Sequence, residues 1–190
     1  MIRKILLFFF VSCLLQSKAQ NTVALPEILN YSRSVYKAGT QNWKIGQDKQ
    51  GIIYFANNDG LLSFDGNFWK KYVLPGFNGI RSLAIANNGR IYIGGQGEIG
   101  FFAPEKNGTL KYHSLNDHIP ETEKDFTDVW DVIPVENEVY FRSFKRILHF
   151  KNDKITVYSS ISWSFMGVCN GRLVTKAYGA GLLTFQNGIW

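Results

Sequence analysis

The stretch GIIYFANNDGLLSFDG, Gly51–Gly66, decides how the rest of the chain is read. Two short apolar segments flank a polar turn of Asn57, Asn58, Asp59 and Gly60, and a second turn follows at Asp65-Gly66. Apolar runs of this length bounded by Asn, Asp and Gly predict a hairpin of β-strands. The stretch is then either a site in itself or one unit of a repeating architecture.

Self-comparison favours the repeat. Gly51-Ile52-Ile53-Tyr54-Phe55 returns as Gly89-Arg90-Ile91-Tyr92-Ile93, and more loosely as Asn137-Glu138-Val139-Tyr140-Phe141 and Gly171-Arg172-Leu173-Val174-Thr175. The following strand, Gly60-Leu61-Leu62-Ser63-Phe64, returns at Gly97–Phe101, Arg146–Phe150 and Gly181–Phe185. Each pair is preceded by one strand segment (QNWKIGQD, IRSLAIANN, VWDVIPVEN, SFMGVCN) and followed by another (DGNFWKKY, NGTLKYHSL, NDKITVYS, QNGIW). The Tyr54, Tyr92, Tyr140 and Val174 positions are spaced by 38, 48 and 34 residues, the long gap being the insertion NDHIPETEKDFTD. Four antiparallel strands repeating at about 40 residues predict an all-β fold of β-propeller blades. A β-sandwich is the alternative, although it does not require one strand-turn pattern four times in register.

The expected organisation is a signal peptide over 1–19, a lead-in segment over 20–40 that could supply a closing strand, and blades over about 41–75, 76–115, 128–160 and 161–190. The signal reading rests on basic Arg3 and Lys4, the apolar run Ile5–Leu15, and small Ser17 and Ala19 before the cleavage point. An uncleaved anchor and a lipoprotein signal at Cys13 are the alternatives. If Cys13 leaves with the signal, Cys169 is alone and no internal disulfide can form. Loss of Arg3, Lys4 and Lys18 lowers the net charge from +6 to +3, which gives no support for nucleic-acid binding. The last unit stops at Trp190, where Trp69 sits in the first, so the fourth blade lacks its final strand. Truncation of a longer propeller and a four-bladed ring closed by the lead-in segment both satisfy that observation.

NWKIGQDKQGIIYFANNDGLLSFDG and IRSLAIANNGRIYIGGQGEIGFF resemble the repeat of the two-component regulator propeller family, in which an Asp-x-x-Gly turn precedes an apolar-aromatic strand and a Gly-Leu step follows. The resemblance extends from Gln41 to Trp190 and is loosest in the third unit, where Arg146 replaces the glycine. It implies the exported sensor region of a bacterial transmembrane regulator, of the type common in Bacteroidetes. Such regions precede a triple-tyrosine domain, a membrane helix, and a histidine kinase or helix-turn-helix output. Membrane attachment would then come only through a downstream helix, and a homodimer is an option.

No nucleophile elbow, zinc helix or phosphate loop is present, so no catalytic residue, metal ligand or cofactor is expected. Asp48 with Gly51 reads as turn chemistry. Most of Trp43, Trp69, Trp130 and Trp190, with Tyr54, Tyr92 and Tyr140, read as packing between blades rather than a sugar-stacking set. His113 and His118, with Asp117, Glu121, Glu123, Asp125 and Asp128, read as a solvated, mobile acidic loop. In a four-stranded blade, the turn between the second and third strands opens on the same face as the connection to the next blade. That face should carry Asn57, Asn58, Asp59, Gln96, Glu98, Arg142, Lys145, Arg146, Lys176 and Tyr178. Their mix of amides, charges and one aromatic suits an extracellular polar ligand such as a glycan.

Overall fold

Alternation of apolar strands with Gly, Asn and Asp turns folds the chain into four antiparallel sheets, each drawn from consecutive segments. The structure, a computed structural model, describes residues 28–77 and 79–190. The signal segment 1–19, and residues 20–27 of the lead-in, lie outside the described residues. Blade 1 comprises β1 (Asn42–Gln47), β2 (Ile53–Asn57), β3 (Gly60–Phe64) and β4 (Trp69–Tyr72). Blade 2 comprises β5 (Ile80–Ile85), β6 (Ile91–Gly95), β7 (Ile99–Pro104) and β8 (Leu110–Ser114). Blade 3 comprises β9 (Val129–Val135), β10 (Glu138–Ser143), β11 (Arg146–Lys151) and β12 (Lys154–Ser159), and blade 4 comprises β13 (Trp163–Cys169), β14 (Arg172–Ala177) and β15 (Gly181–Thr184). Within every sheet the strands pair in sequence order. The inner strands β1, β5, β9 and β13 adjoin one another in succession. This is the propeller arrangement; a sandwich would instead stack two sheets face to face.

Burial follows position in the blade. In blades 1 to 3 the two middle strands are covered on both faces, so β6 is buried at every residue and β10 at all but its first, whereas β15 of blade 4 has no buried residue. The outer strands β4, β8 and β12 have no fully buried residue. Three apolar clusters fill the interfaces. Tyr54, Ala56 and Leu61 of blade 1 meet Ile80, Ile93 and Phe102 of blade 2. Ile99 and Tyr92 of blade 2 meet Val129, Phe141 and Leu148 of blade 3. Tyr140 and Ile147 of blade 3 meet Trp163, Met166 and Leu173 of blade 4. Among the described residues no such cluster joins blade 4 to blade 1.

Close approach of successive blades dictates Gly94, where a Cβ would lie 2.4 Å from Cγ1 of Val129 in the next blade. The Asp48 turn is built as the sequence predicts: Asp48 Oδ1 accepts from the Gln50 and Ile52 amides, both at 2.9 Å, while Gly51 takes φ +88°.

The lead-in provides no strand among its described residues. It forms one helical turn, α1 (Arg33–Tyr36), and lays Tyr31 and Tyr36 on Trp69, with ring centroids 5.3 and 5.7 Å away. Trp69 stacks on Phe64 on the side of blade 1 that faces away from blade 2. In blade 4 the repeat-equivalent Trp190 packs against Phe185 and against Tyr140 and Tyr158 of blade 3. Tyr31 and Tyr36 thus supply for blade 1 the aromatic surface that blade 3 supplies for blade 4.

The insertion after β8 differs from the expected solvated loop. Its apolar residues Ile119 and Phe126, with Leu115 immediately before it, are buried in the cluster between blades 2 and 3. Short 3-10 turns at Asn116–His118 and Glu121–Glu123 carry the acidic residues outward. Burial of three apolar anchors outweighs the solvation that the acidic composition suggests.

Candidate functional site

The turns between second and third strands do share one face with the blade connections, and main-chain bonds stitch the two sets together. Gln96 N donates to Gly79 O at 3.4 Å, Trp163 N to Phe144 O at 2.7 Å and Tyr178 N to Ser162 O at 3.0 Å. Residues placed here by topology are nevertheless divided by their side-chain chemistry.

Five of the ten expected residues are occupied by the fold. Asn57 is fully buried, donates through Nδ2 to Gly39 O and Asn42 Oδ1, both at 2.7 Å, and accepts from the Asp59 amide. It holds the lead-in to blade 1 and presents nothing to a ligand, a correction to its expected role. Asn58 Oδ1 accepts from Trp43 Nε1 at 2.8 Å and Arg81 Nη1 at 2.7 Å. Glu98 accepts from Tyr112 at 2.7 Å and Ser114 at 2.5 Å, and from Asn116 Nδ2 at 3.1 Å. Burial and the Glu98 hydrogen bond together push the Tyr112 hydroxyl pKa far up, so it remains a donor. Arg142, only 6% exposed, donates from Nε to Asp131 at 2.5 Å and from Nη1 to the Trp163 carbonyl at 2.8 Å. This buried guanidinium is an inter-blade tie and a second correction to the exposed set. Arg146 pairs with Glu123 at 2.6 Å and Asp125 at 2.7 Å, pinning the acidic insertion to blade 3.

The other five reach solvent. Asp59 lies 4.0 Å from Lys71, a separation worth little at the surface. Gln96, Lys145, Lys176 and Tyr178 are exposed. Among the described residues no hydrogen bond or ion pair joins members of the ten from different blades, so they form a rim rather than one constellation.

Sequence reasoning missed a second set on this face. All four inner strands carry a register shift at their second residue. Asn42 and Lys44 oppose consecutive residues Asn57 and Ala56, leaving Trp43 as the extra residue. By the same register, Arg81, Trp130 and Ser164 are the extra residues of β5, β9 and β13. Such bulges turn a side chain out of the sheet's alternation. Trp43 and Trp130, read as blade packing, are instead 37% and 40% exposed, and their rings meet edge to face at 5.5 Å. The guanidinium of Arg81 sits 4.8 Å from the Trp43 ring and is held by Asp128 at 3.0 Å. A signal was available: when the repeats are aligned, this column reads Trp, Arg, Trp, Ser, so it carries a large or polar side chain at the start of every inner strand.

No protein-family model matches the chain, and no curated protein matches it. Solved structures do. The extracellular domain of the one component system BT4673 from B. thetaiotaomicron aligns at TM-score 0.59 and 18% identity, over 78% of this chain and 20% of that one. The extracellular domain of the hybrid two component system BT3049 from the same organism aligns at 0.59 and 15%, over 81% and 22%. Virginiamycin B lyase from Staphylococcus aureus aligns at 0.59 and 15%, over 84% and 59%. The fold is a β-propeller. The chain spans about a fifth of the length of the two extracellular domains.

At the other end of blade 3, Glu138 accepts from Tyr140 at 2.9 Å, lies 2.7 Å from His149 Nε2 and pairs with Lys151. Tyr140 stacks on the His149 ring at 4.2 Å. Burial lowers the His149 pKa from its ordinary 6.5, outweighing the opposing pull of Glu138. Burial tends to raise the Glu138 pKa, but bonds from Lys151, Tyr140 and His149 together hold it below 4.5. The unfolded chain therefore takes up protons on both groups at higher pH than the folded one. Stability contributed by His149 is full above pH 6.5 and is lost as the pH falls through and below that value. Glu138 adds a second loss below 4.5. Urea midpoints measured from about pH 7 to about pH 5 should decline, and His149→Gln should flatten the decline. An unchanged slope in that variant would remove His149 as its source.

Proposed function

We propose that the protein is an exported, ligand-sensing propeller, the N-terminal part of a transmembrane signal-transduction or transcription regulator, with no catalysis of its own. The observation carrying this reading is the single face on which turns and connections of all four blades are bonded together. A ligand resting there touches several blades at once, so binding changes the angles between them, which is a displacement that a downstream element can read. Likeness in fold to extracellular domains of bacterial one- and two-component systems supports the reading. The ligand class that suits the exposed amides, lysines and aromatics is a polar polymer such as a glycan. No nucleic acid is contacted, and among the described residues no helix is long and apolar enough to cross a membrane.

A propeller enzyme is the second reading, favoured by the alignment with a lyase. One experiment separates them. The full-length reading frame, expressed in a bacterial host, is fractionated, and the purified protein is heated with and without a polysaccharide panel. The sensor reading expects export with loss of residues 1–19 and a concentration-dependent rise in Tm for one polymer, left intact at the end. Turnover of that polymer establishes the enzyme instead, and retention in the cytoplasm overturns both.

A further inference from the structure

We infer that Trp43, Trp130 and Arg81 form the ligand platform at the axial mouth of the propeller, and that it takes a neutral sugar ring in preference to an acidic one. The inference rests on the ligand-sensing reading above and adds the place of contact and the charge of the ligand.

The location follows from which blades meet. Trp43 belongs to blade 1 and Trp130 to blade 3, and blade 2 lies between them. Their rings are nevertheless 5.5 Å apart at 72°. Side chains of alternate blades can meet only if both are directed inward over the axis. The bulges direct them there: the extra residue is the second of its strand in every blade. A bulge forfeits ladder bonding. Repeating it in four strands at one register turns Trp43, Arg81, Trp130 and Ser164 out of their sheets, and the first three meet.

The platform is rigid before any ligand arrives. Trp43 Nε1 is fixed by Asn58 Oδ1, which also receives Arg81 Nη1. Arg81 in turn lies against the Trp43 ring and bonds Asp128 of the connection to blade 3. One knot therefore spans three blades, with two half-exposed indoles at its surface, whereas Trp163 in the blade 3–4 interface is 4% exposed. Large, preoriented aromatic faces bind ring-shaped ligands at small entropic cost.

Charge selects among such ligands. Recognition of a carboxylate or sulfate on a ring stacked on these indoles calls for a cation with free donors beside them, a forked guanidinium above all. Each arginine placed near this mouth already faces a carboxylate: Arg81 with Asp128, Arg142 with Asp131, and Arg146 with Glu123 and Asp125. An acidic sugar would have to break one of these pairs and meet the carboxylate it displaced, or leave the indoles for the exposed Lys145 and Lys176 of the rim. A neutral pyranose stacks on the indoles and leaves every pair intact.

The test titrates the protein with neutral xylo-, manno- and gluco-oligosaccharides and with an oligogalacturonate of matched length, following tryptophan fluorescence and calorimetric heat. We expect at least one neutral series to bind, with the oligogalacturonate weaker by at least about tenfold. Trp43→Ala and Trp130→Ala should each weaken that binding by about tenfold or more, and Trp43→Phe should stay within about threefold of wild type. Lys154→Ala, at the opposite end of blade 3, should leave it unchanged. Far-UV dichroism identifies any variant that has unfolded, and Trp43→Phe then carries the comparison. Undiminished binding by both folded alanine variants overturns the platform and leaves the sensing reading standing. Preference for the oligogalacturonate overturns the charge assignment. Absence of binding to every series overturns the platform together with the sugar ligand on which it rests.

Discussion

Replacing Phe141 with alanine should lower the unfolding free energy by about 3–5 kcal/mol, the range for deleting a fully buried phenyl side chain. Phe141 is completely buried in β10 and belongs to the cluster shared by blades 2 and 3. Its ring lies 6.2 Å from that of Tyr92 across the interface. The walls around it come from two sheets and from the insertion anchored by Leu115, Ile119 and Phe126. Hydrogen-bonded ladders fix both sheets, so they cannot collapse into the space left behind, and the cavity adds to the lost transfer energy. Because the apolar clusters each join one blade to the next, the loss should fall on the contact between blades 2 and 3. Urea unfolding followed by tryptophan fluorescence should shift to lower midpoint and broaden as the halves separate. A loss below about 1 kcal/mol would show that this interface is not packed as described.

Arg142→Ala should cost about 3 kcal/mol, at the lower end for removing one partner of a buried ion pair. The guanidinium ties β10 to Asp131 in β9 and to the Trp163 carbonyl in β13, so its removal strips bonds within blade 3 and between blades 3 and 4. Asp131 keeps the Met166 amide at 2.9 Å and a side chain 27% exposed, so water relieves part of the uncompensated charge. That relief is the reason for choosing the lower end. Arg142→Lys should recover only part of the loss, since a single ammonium cannot replace a planar group bonded at two nitrogens. A double variant, Arg142→Met with Asp131→Leu, should be more stable than Arg142→Ala because no charge is stranded. Equal stability of Arg142→Ala and wild type would return Arg142 to the exposed rim where the sequence placed it.

The blade architecture was legible because it repeats: four turn-bounded hairpins around Tyr54, Tyr92, Tyr140 and Val174 report one strand pattern four times. Topology alone put the right turns on the right face. Side-chain occupancy was not legible, because whether Asn57 or Arg142 faces solvent depends on partners such as Gly39 and Trp163, brought close only by folding. The bulges were hidden for a related reason. An extra residue in a strand is defined by its partner's register, and a sequence does not display register. The insertion was misread from its charges, while Ile119 and Phe126 within it were the residues that determined its place.

Tyr31 and Tyr36 precede blade 1 in the chain and cover the side of it that no other described blade reaches. A polypeptide is synthesised from its N-terminus, so this cover arrives before the strands it protects. Blade 1 can then complete both of its faces with residues already delivered and with blade 2, the next to appear. Each later blade docks on a surface that is already ordered. The order of emergence and the order of packing coincide, so the array can fold in the order in which it is made.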